Sequence, residues 1–158
     1  MSPRELELPQ DFLEFITMLN AHQVEYVIVG GYALGAHGYV RATGDIDFLY
    51  RLTSLNVTRL CAALGQFGAP SQLIDHTELL DPDAVTFFGV PPYRIDLMSS
   101  ISGVESESVF ATAIEDTMAG QRVRVIGRQA LETNKRASGR DKDLRDLRAL
   151  ARMDKQRR

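Results

Sequence analysis

The residues of this chain that could carry out chemistry include three aspartates in two short apolar segments. Asp45 and Asp47 flank Ile46 in a run that continues as Phe-Leu-Tyr. Alternate side chains of a β-strand point to the same face, with Cα atoms about 7 Å apart, so the two carboxylates should converge while Ile46 turns toward the core. Two carboxylates held this close raise each other's pKa unless a cation neutralises them. The pair therefore indicates either a hard metal ion or a shared proton.

Asp96 supplies a third acid, inside the apolar run Arg-Ile-Asp-Leu-Met at 94–98. An aspartate within such a strand is costly to bury without a partner, and a neighbouring strand that feeds the same site would provide one. Oxygen ligands suit Mg²⁺, which binds through a few carboxylates together with waters and substrate phosphates; Mn²⁺ is the alternative ion. Three histidines and one cysteine are too few for a zinc site. We predict a magnesium site, with two metals, at Asp45, Asp47 and Asp96.

A glycine pair lies upstream of these acids. Gly30 and Gly31 follow the apolar run Tyr-Val-Ile-Val at 26–29 and precede an Ala- and Leu-rich stretch, which predicts a strand, a turn and a helix. Backbone without side chains can approach a phosphate closely and present amides near the positive end of a helix. A tight turn that needs positive φ explains the same glycines. Arg41 and Thr43 lie close enough in sequence to reach such a phosphate, with a surface ion pair as the alternative role for Arg41.

Cations are concentrated at the C-terminus. Residues 135–158 hold ten of the eighteen Lys and Arg but only four of the twenty-one Asp and Glu. Lys135, Arg140 and Lys142 surround the predicted start of the last helix, although a helix N-terminus prefers negative charge. A bound phosphate would remove that conflict, and a solvated charged face is the alternative interpretation.

In their order and spacing these segments resemble the polymerase β-like nucleotidyltransferases, in which a Gly-Gly or Gly-Ser turn precedes two metal-binding acids and a third acid lies on a later strand. The resemblance is greatest to small bacterial and archaeal nucleotidyltransferases of the antitoxin and abortive-infection type. Gly44 departs from that pattern, because a longer polar or basic side chain is more usual before the first acid. The similar segments are 30–33, 37–43, 94–97 and 134–143.

The resemblance implies a nucleotidyltransferase fold and transfer of a nucleoside monophosphate from an NTP to a hydroxyl acceptor, with release of pyrophosphate. Asp45 and Asp47 would bind both metals, and Asp96 would help to activate the incoming hydroxyl. Gly30 and Gly31 would contact the triphosphate. The acceptor would be a protein or an RNA, and the basic C-terminal segment favours RNA, including a tRNA end. A toxin partner or a second copy of the chain is also expected.

The elements that position these residues follow from hydrophobic periodicity. We predict one α/β (α+β) domain over 1–158: a short, mixed, twisted sheet with the three acids along one edge, backed by helices and closed by a C-terminal helical pair that includes the basic segment 137–158. The inner face of the last helix should carry Leu144, Leu147 and Leu150, with Lys142 paired to Asp146 on its surface. The predicted strands are 26–29, 46–50, 85–90, 93–98 and 123–126, and the predicted helices are 11–22, 32–38, 54–67, 105–114, 128–136 and 141–153.

No apolar run approaches the roughly 20 residues that cross a bilayer, and the N-terminus lacks a signal-peptide core. We therefore expect a cytoplasmic protein without membrane contact. Two other functions remain open on the same residues. One is a non-catalytic nucleotide-binding or antitoxin-type module that acts by contacting a partner. The other is a phosphoesterase that uses the three carboxylates on water.

Overall fold

A six-stranded mixed sheet organises residues 8–157, the part of the chain that the computed structural model describes. The strand order is β3-β4-β2-β1-β6-β5; β2 pairs with β4 and β1 with β6 in parallel, and the other neighbours are antiparallel. This confirms the predicted α/β class with a mixed sheet. The strands are β1 (Tyr26–Val29), β2 (Asp45–Tyr50), β3 (Val85–Phe88), β4 (Arg94–Met98), β5 (Ile114–Met118) and β6 (Gln121–Val125).

Helices flank this sheet, and the last two form the predicted C-terminal pair. Gly139 joins them in a left-handed conformation with φ 63°, and the last helix begins at Asp141 as predicted, whereas residues 137 and 138 of the basic segment belong to the preceding helix. None of the helices within 8–157 combines the length and the apolar character needed to cross a membrane. The helices are α1 (Gln10–Ala21), α2 (Gly30–Ala36), α3 (Ser54–Phe67), α4 (His76–Leu79), α5 (Ser106–Thr112), α6 (Arg128–Ser138) and α7 (Asp141–Gln156), with a short 3₁₀ turn at Ser71–Leu73.

Aromatic rings fill the core on one face of the sheet. The Phe15 ring of α1 makes edge-to-face contacts with Phe48, Phe67 and Phe88, with ring centroids 5.4, 5.3 and 5.6 Å away. Phe48 lies on β2 and Phe88 on β3, so these strands turn one face toward α1 and α3. Because side chains alternate along a strand, their neighbours in sequence, including Asp47, point to the opposite face.

Two features of the sheet differ from the sequence prediction. The acids lie on β2 and β4, which are internal strands, and so do not follow an edge of the sheet. Strand β5 was missed, because residue 114 was assigned to the preceding helix. Its sequence Ile-Glu-Asp-Thr-Met is mostly exposed on an edge strand and therefore lacks an alternating apolar pattern. A turn at Ala119 and Gly120, with φ 48° and 82°, joins it to β6.

Candidate active site

The structure brings the three predicted acids together. In the parallel pair of β2 and β4, Asp47 is the Cα partner of Asp96, and Asp45 is the partner of Arg94. Residues opposite each other in neighbouring strands share a face of the sheet, so all three carboxylates lie on the face away from α1 and α3. They line one open cleft of about 680 Å³, whose other wall comes from α6 and α7 through Asn134, Ser138, Arg140 and Lys142.

The carboxylate cluster changes the pKa of Asp47. Burial, followed by the neighbouring carboxylates of Asp96 and Asp45, raises the pKa of Asp47 to about 7, and the positive charge of Lys142 opposes the shift. Asp96 itself is buried, with 8% of its surface exposed. A group with such a pKa exchanges its proton for a cation near neutral pH, so the carboxylate chemistry fits a divalent ion.

Arg94 is a site residue to which the sequence reasoning gave no role. Its Nε donates to Asp96 Oδ1 at 2.7 Å, and its Nη2 donates to Asp96 Oδ2 at 3.0 Å and to Asp45 Oδ2 at 3.3 Å. Hydrogen bonding to Asp96 raises the pKa of the Arg94 guanidinium further. Its position two residues before Asp96 in a strand already places it on the same face, and this spacing was the signal available in the sequence.

With Arg94 in this position, two of the three carboxylates are partly neutralised by protein. Within residues 8–157, no group of three or more His, Cys, Asp and Glu side chains has the arrangement of a metal site. For Asp45 and Asp96 to bind one cation with Asp47, the guanidinium has to leave the space between them. Half of the Arg94 side chain is solvent-exposed, at 47%, so it has room to move.

The glycine pair lies directly against the acids. Gly30 has φ 74°, and a Cβ at this position would overlap the Asp47 carboxylate. A Cβ at Gly31 would lie 3.0 Å from Thr43 Oγ1. Thr43 in turn accepts a hydrogen bond from the Asp45 amide at 3.4 Å, which orders the entry into β2. Glycine is therefore required at residue 30 both for its φ and for the close approach of Asp47.

The predicted phosphate-binding cations fall into two groups. Arg140 and Lys142 line the cleft opposite the acids. Lys135 is only 4% exposed, and its Nζ donates to Asp146 Oδ2 at 2.9 Å and lies 3.5 Å from Asp143 Oδ1. The structure thus places Arg140 and Lys142 where a ligand could reach them, although Arg140 also donates to Asp143 Oδ2 at 2.8 Å, and it buries Lys135 between two carboxylates.

Arg41 joins the same buried network. Its Nε and Nη2 each donate to Asp146 at 3.0 Å, which ties the segment after α2 to α7. Burial alone would raise the pKa of Asp146, but the hydrogen bonds from Arg41 and Lys135 lower it below its usual value. The Asp146 carboxylate therefore connects the glycine turn region with the C-terminal helical pair, a link that no local sequence pattern indicated.

Of the three leucines predicted for the inner face of α7, Leu150 is confirmed as buried, Leu147 is half-buried, and the prediction for Leu144 is wrong. The helix buries Asp143, Asp146, Ala149 and Leu150, while Leu144 is 40% exposed. The predicted surface pair of Lys142 and Asp146 is replaced by the ion pairs of Asp146 with Lys135 and Arg41. Leucine spacing misled the prediction because paired charges can occupy a helix–helix interface when every carboxylate oxygen has a donor.

The chain was compared with protein-family models and with curated proteins, and neither comparison found a match. The fold is that of a mixed α/β protein. In its cleft, acids from two parallel strands face two basic residues of the C-terminal helical pair.

Proposed function

We propose that this protein is a metal-dependent nucleotidyltransferase, which transfers a nucleoside monophosphate from an NTP to a hydroxyl of a protein or RNA and releases pyrophosphate. The observation that carries the proposal is the convergence of Asp45, Asp47 and Asp96 on one face of the sheet, directly beside Gly30. Phosphoryl-type transfer depends on positioning and charge neutralisation more than on covalent help, and a cluster of carboxylates beside a glycine turn suits those two requirements.

The carboxylates would hold Mg²⁺ or Mn²⁺. Bound divalent ions neutralise the triphosphate and help to keep the attacking and leaving oxygens in line. Asp47 lies on β2, between the glycine turn after β1 and Asp96 on β4. We therefore propose that the triphosphate lies on the side of Gly30 and the acceptor hydroxyl on the side of Asp96. Asp96 would accept the hydroxyl proton as the oxygen attacks the α-phosphorus and the α–β phosphoanhydride bond breaks.

The basic residues have separable roles in this proposal. Arg140 and Lys142 face the acids across the cleft and would contact the phosphates. Lys135 and Arg41 would act as positioning residues, because their ion pairs with Asp146 hold α7 and the segment before β2 in place. Gly31 and Thr43 would shape the turn on the triphosphate side. Following the resemblance, we further propose a cytoplasmic location and either a toxin partner or a second copy of the chain.

Transfer of label tests the proposal directly. The purified protein is incubated with Mg²⁺ and each α-labelled NTP, with bulk tRNA or peptides as acceptors, and pyrophosphate and labelled acceptor are measured. We expect both products, and we expect Asp45→Asn to reduce them to background while Glu115→Gln, which removes one negative charge at an exposed position on β5, does not. Free phosphate or cleaved RNA without labelled acceptor would assign the site to hydrolysis and contradict the proposal.

One observation favours a second candidate function, a non-catalytic nucleotide-binding or antitoxin-type module. Arg94 already contacts Asp45 and Asp96, so the chain itself can supply part of the charge neutralisation that a metal would provide. Such a module would bind an NTP without requiring Mg²⁺ and would release no pyrophosphate. Equilibrium dialysis of labelled NTP with and without EDTA separates it from the enzyme.

A further inference from the structure

Large apolar side chains are exposed along one border of the sheet. Val85 and Phe87 on β3 are each 60% exposed, and Val90 and Tyr93 in the following connection are 70% and 44% exposed. We refer to these four residues as the β3 strip. Single exposed apolar residues are normal on protein surfaces, but contiguous apolar patches mark interaction sites. Val85 and Phe87 share a face of β3, and Phe87 lines one recess together with Tyr93, so the apolar surface continues from the strand into the connection.

The β3 strip continues the acidic cleft. Phe87 is the Cα partner of Asp96, so its ring lies on the same face of the sheet as the three acids. The Arg94 guanidinium carbon lies 5.2 Å from the centre of the Phe87 ring. A second recess of about 490 Å³ is lined by Phe87 and Tyr93 together with Asp45 and Arg94. The strip therefore begins where the acids end, on the Asp96 side of the cleft.

Apart from Arg94, which contacts Phe87, the segment of the chain that leads into the strip is acidic. Between Arg59 and Arg94 the sequence contains no Lys or Arg and four acids, which are Asp75, Glu78, Asp81 and Asp83. All four of these acidic residues are exposed. Asp81 and Asp83 are held near the acidic cleft by the residue between them. The Pro82 carbonyl accepts a hydrogen bond of 3.2 Å from Ser100, and Ser100 lines the cleft.

This charge distribution discriminates between acceptors. A nucleic acid carries one negative charge per phosphate and would be repelled from the acidic side, whereas Arg140 and Lys142 attract phosphates on the opposite wall. A polypeptide with apolar side chains and nearby Lys or Arg matches both the apolar surface and the acidic border. β3 is also the terminal strand on that side of the sheet, so an extended segment could pair with its outer edge.

We propose that the β3 strip docks the acceptor, and that the acceptor is a polypeptide segment in which apolar side chains and Lys or Arg surround a Ser, Thr or Tyr. This inference rests on the proposed nucleotidyl transfer. The acceptor hydroxyl oxygen forms a bond to the α-phosphorus of the NTP, the α–β phosphoanhydride bond breaks, pyrophosphate leaves and the hydroxyl proton passes to Asp96.

Binding and transfer are measured separately, so that the two proposals can fail independently. The probe is a fluorescein-labelled pool of short peptides with a fixed central Ser, Thr or Tyr and flanks drawn from Lys, Arg, Val, Leu and Phe. A matched pool carries Asp and Glu in place of Lys and Arg. Anisotropy gives the affinity of each pool, and transfer from α-labelled NTP is measured with the same peptides and with bulk tRNA.

The variants remove apolar surface without adding charge. Phe87→Ser and Val85→Ser both remove apolar surface from the strip. Phe87 contacts Arg94, and its loss could also disturb the acids that Arg94 binds, whereas Val85 is outside that contact, so an effect of Val85→Ser reports docking alone. Leu55→Ser, at 61% exposure on α3, is the matched control. We expect preference for the basic pool and about tenfold weaker binding in both strip variants, since half-burying a large apolar side chain contributes on the order of 1.4 kcal/mol. Far-ultraviolet circular dichroism checks that each variant is folded.

Three results would overturn the inference: peptide binding unchanged in folded Phe87→Ser and Val85→Ser, preference for the acidic pool, or label transferred to tRNA and not to peptides. A dimer in sedimentation that Phe87→Ser dissociates would assign the strip to a second copy and would also overturn it. Peptide binding that depends on the strip, in the absence of any transfer, would support the docking surface while contradicting the proposed enzymatic function.

Discussion

Replacement of Asp47 by asparagine should stabilise the metal-free protein at alkaline pH. Burial and two neighbouring carboxylates raise the pKa of Asp47 from 3.8 to about 7, so the folded state binds this proton more tightly than the unfolded chain does. The stability that Asp47 contributes is therefore complete below about pH 4 and is lost as the pH rises through about 7. Asparagine keeps the shape of the side chain and its capacity to hydrogen-bond to Asp96, without the charge.

The magnitude follows from the size of the shift. A shift of about three units, at about 1.4 kcal/mol per unit, corresponds to roughly 4 kcal/mol between fully protonated and fully ionised Asp47. Because Asp47 is partly accessible from the cleft, we expect Asp47→Asn to raise the free energy of unfolding by about 2 to 4 kcal/mol at pH 8. At pH 5 most Asp47 side chains still hold the proton, and the gain should be only about 1 to 2 kcal/mol.

Urea unfolding in EDTA at pH 5 and pH 8 measures this difference. Glu115→Gln is the control, since it removes one negative charge from an exposed position on β5, at the opposite edge of the sheet from β3. Added Mg²⁺ should then raise the unfolding midpoint of the wild type at pH 8 more than that of Asp47→Asn, because a ligand stabilises the state that binds it. A variant that is less stable than the wild type at pH 8, or a gain that is the same at both pH values, would refute the reasoning.

Three further predictions concern single residues. Gly30→Ala should destabilise the fold by about 2 kcal/mol or more, because it combines positive φ with overlap of Asp47, whereas Gly65→Ala, with open space around it in α3, should be neutral or stabilising in thermal unfolding. Lys135→Met should cost about 1 to 3 kcal/mol in urea unfolding, since it removes a buried cation that Asp143 and Asp146 share, although they keep Arg140 and Arg41 as donors; Arg136→Met, at an exposed pair, should cost less than about 1 kcal/mol, and equal effects would contradict this. Arg94→Gln should tighten Mg²⁺ binding in calorimetric titration, because the guanidinium no longer competes for Asp45 and Asp96, and weaker binding would show that Arg94 supports the metal-binding form.

The local elements were predictable wherever the sequence contained a strong local signal. Strand β1 reads as an unbroken apolar run, and it is buried at all four positions. The ends of α3 and α6 are marked by Gly68 and Gly139, which adopt the left-handed conformation that closes a helix. Strand β5 gave no such signal, because an exposed edge strand needs no apolar alternation and its pairing with β6 alone defines it.

The acidic cluster was predictable in composition and only partly in geometry. The alternation of a strand is a property of the backbone, so the sequence by itself determined that Asp45 and Asp47 share a face. The register that sets Asp96 beside Asp47 depends on how β4 pairs with β2, and 48 intervening residues separate the two acids in the chain. Arg94 followed from the same period of two, but its contact with Asp45 required that register.

Only the tertiary structure decided the roles of the cations. Lys135, Arg140 and Lys142 are equivalent in the sequence as positive charges around the start of a helix. The packing of α6 against α7 buries Lys135 with Asp143 and Asp146, and it leaves Arg140 and Lys142 facing the acids. The physical reason is that local spacing specifies which face of one element a side chain occupies, whereas burial and charge pairing depend on which second element packs against that face.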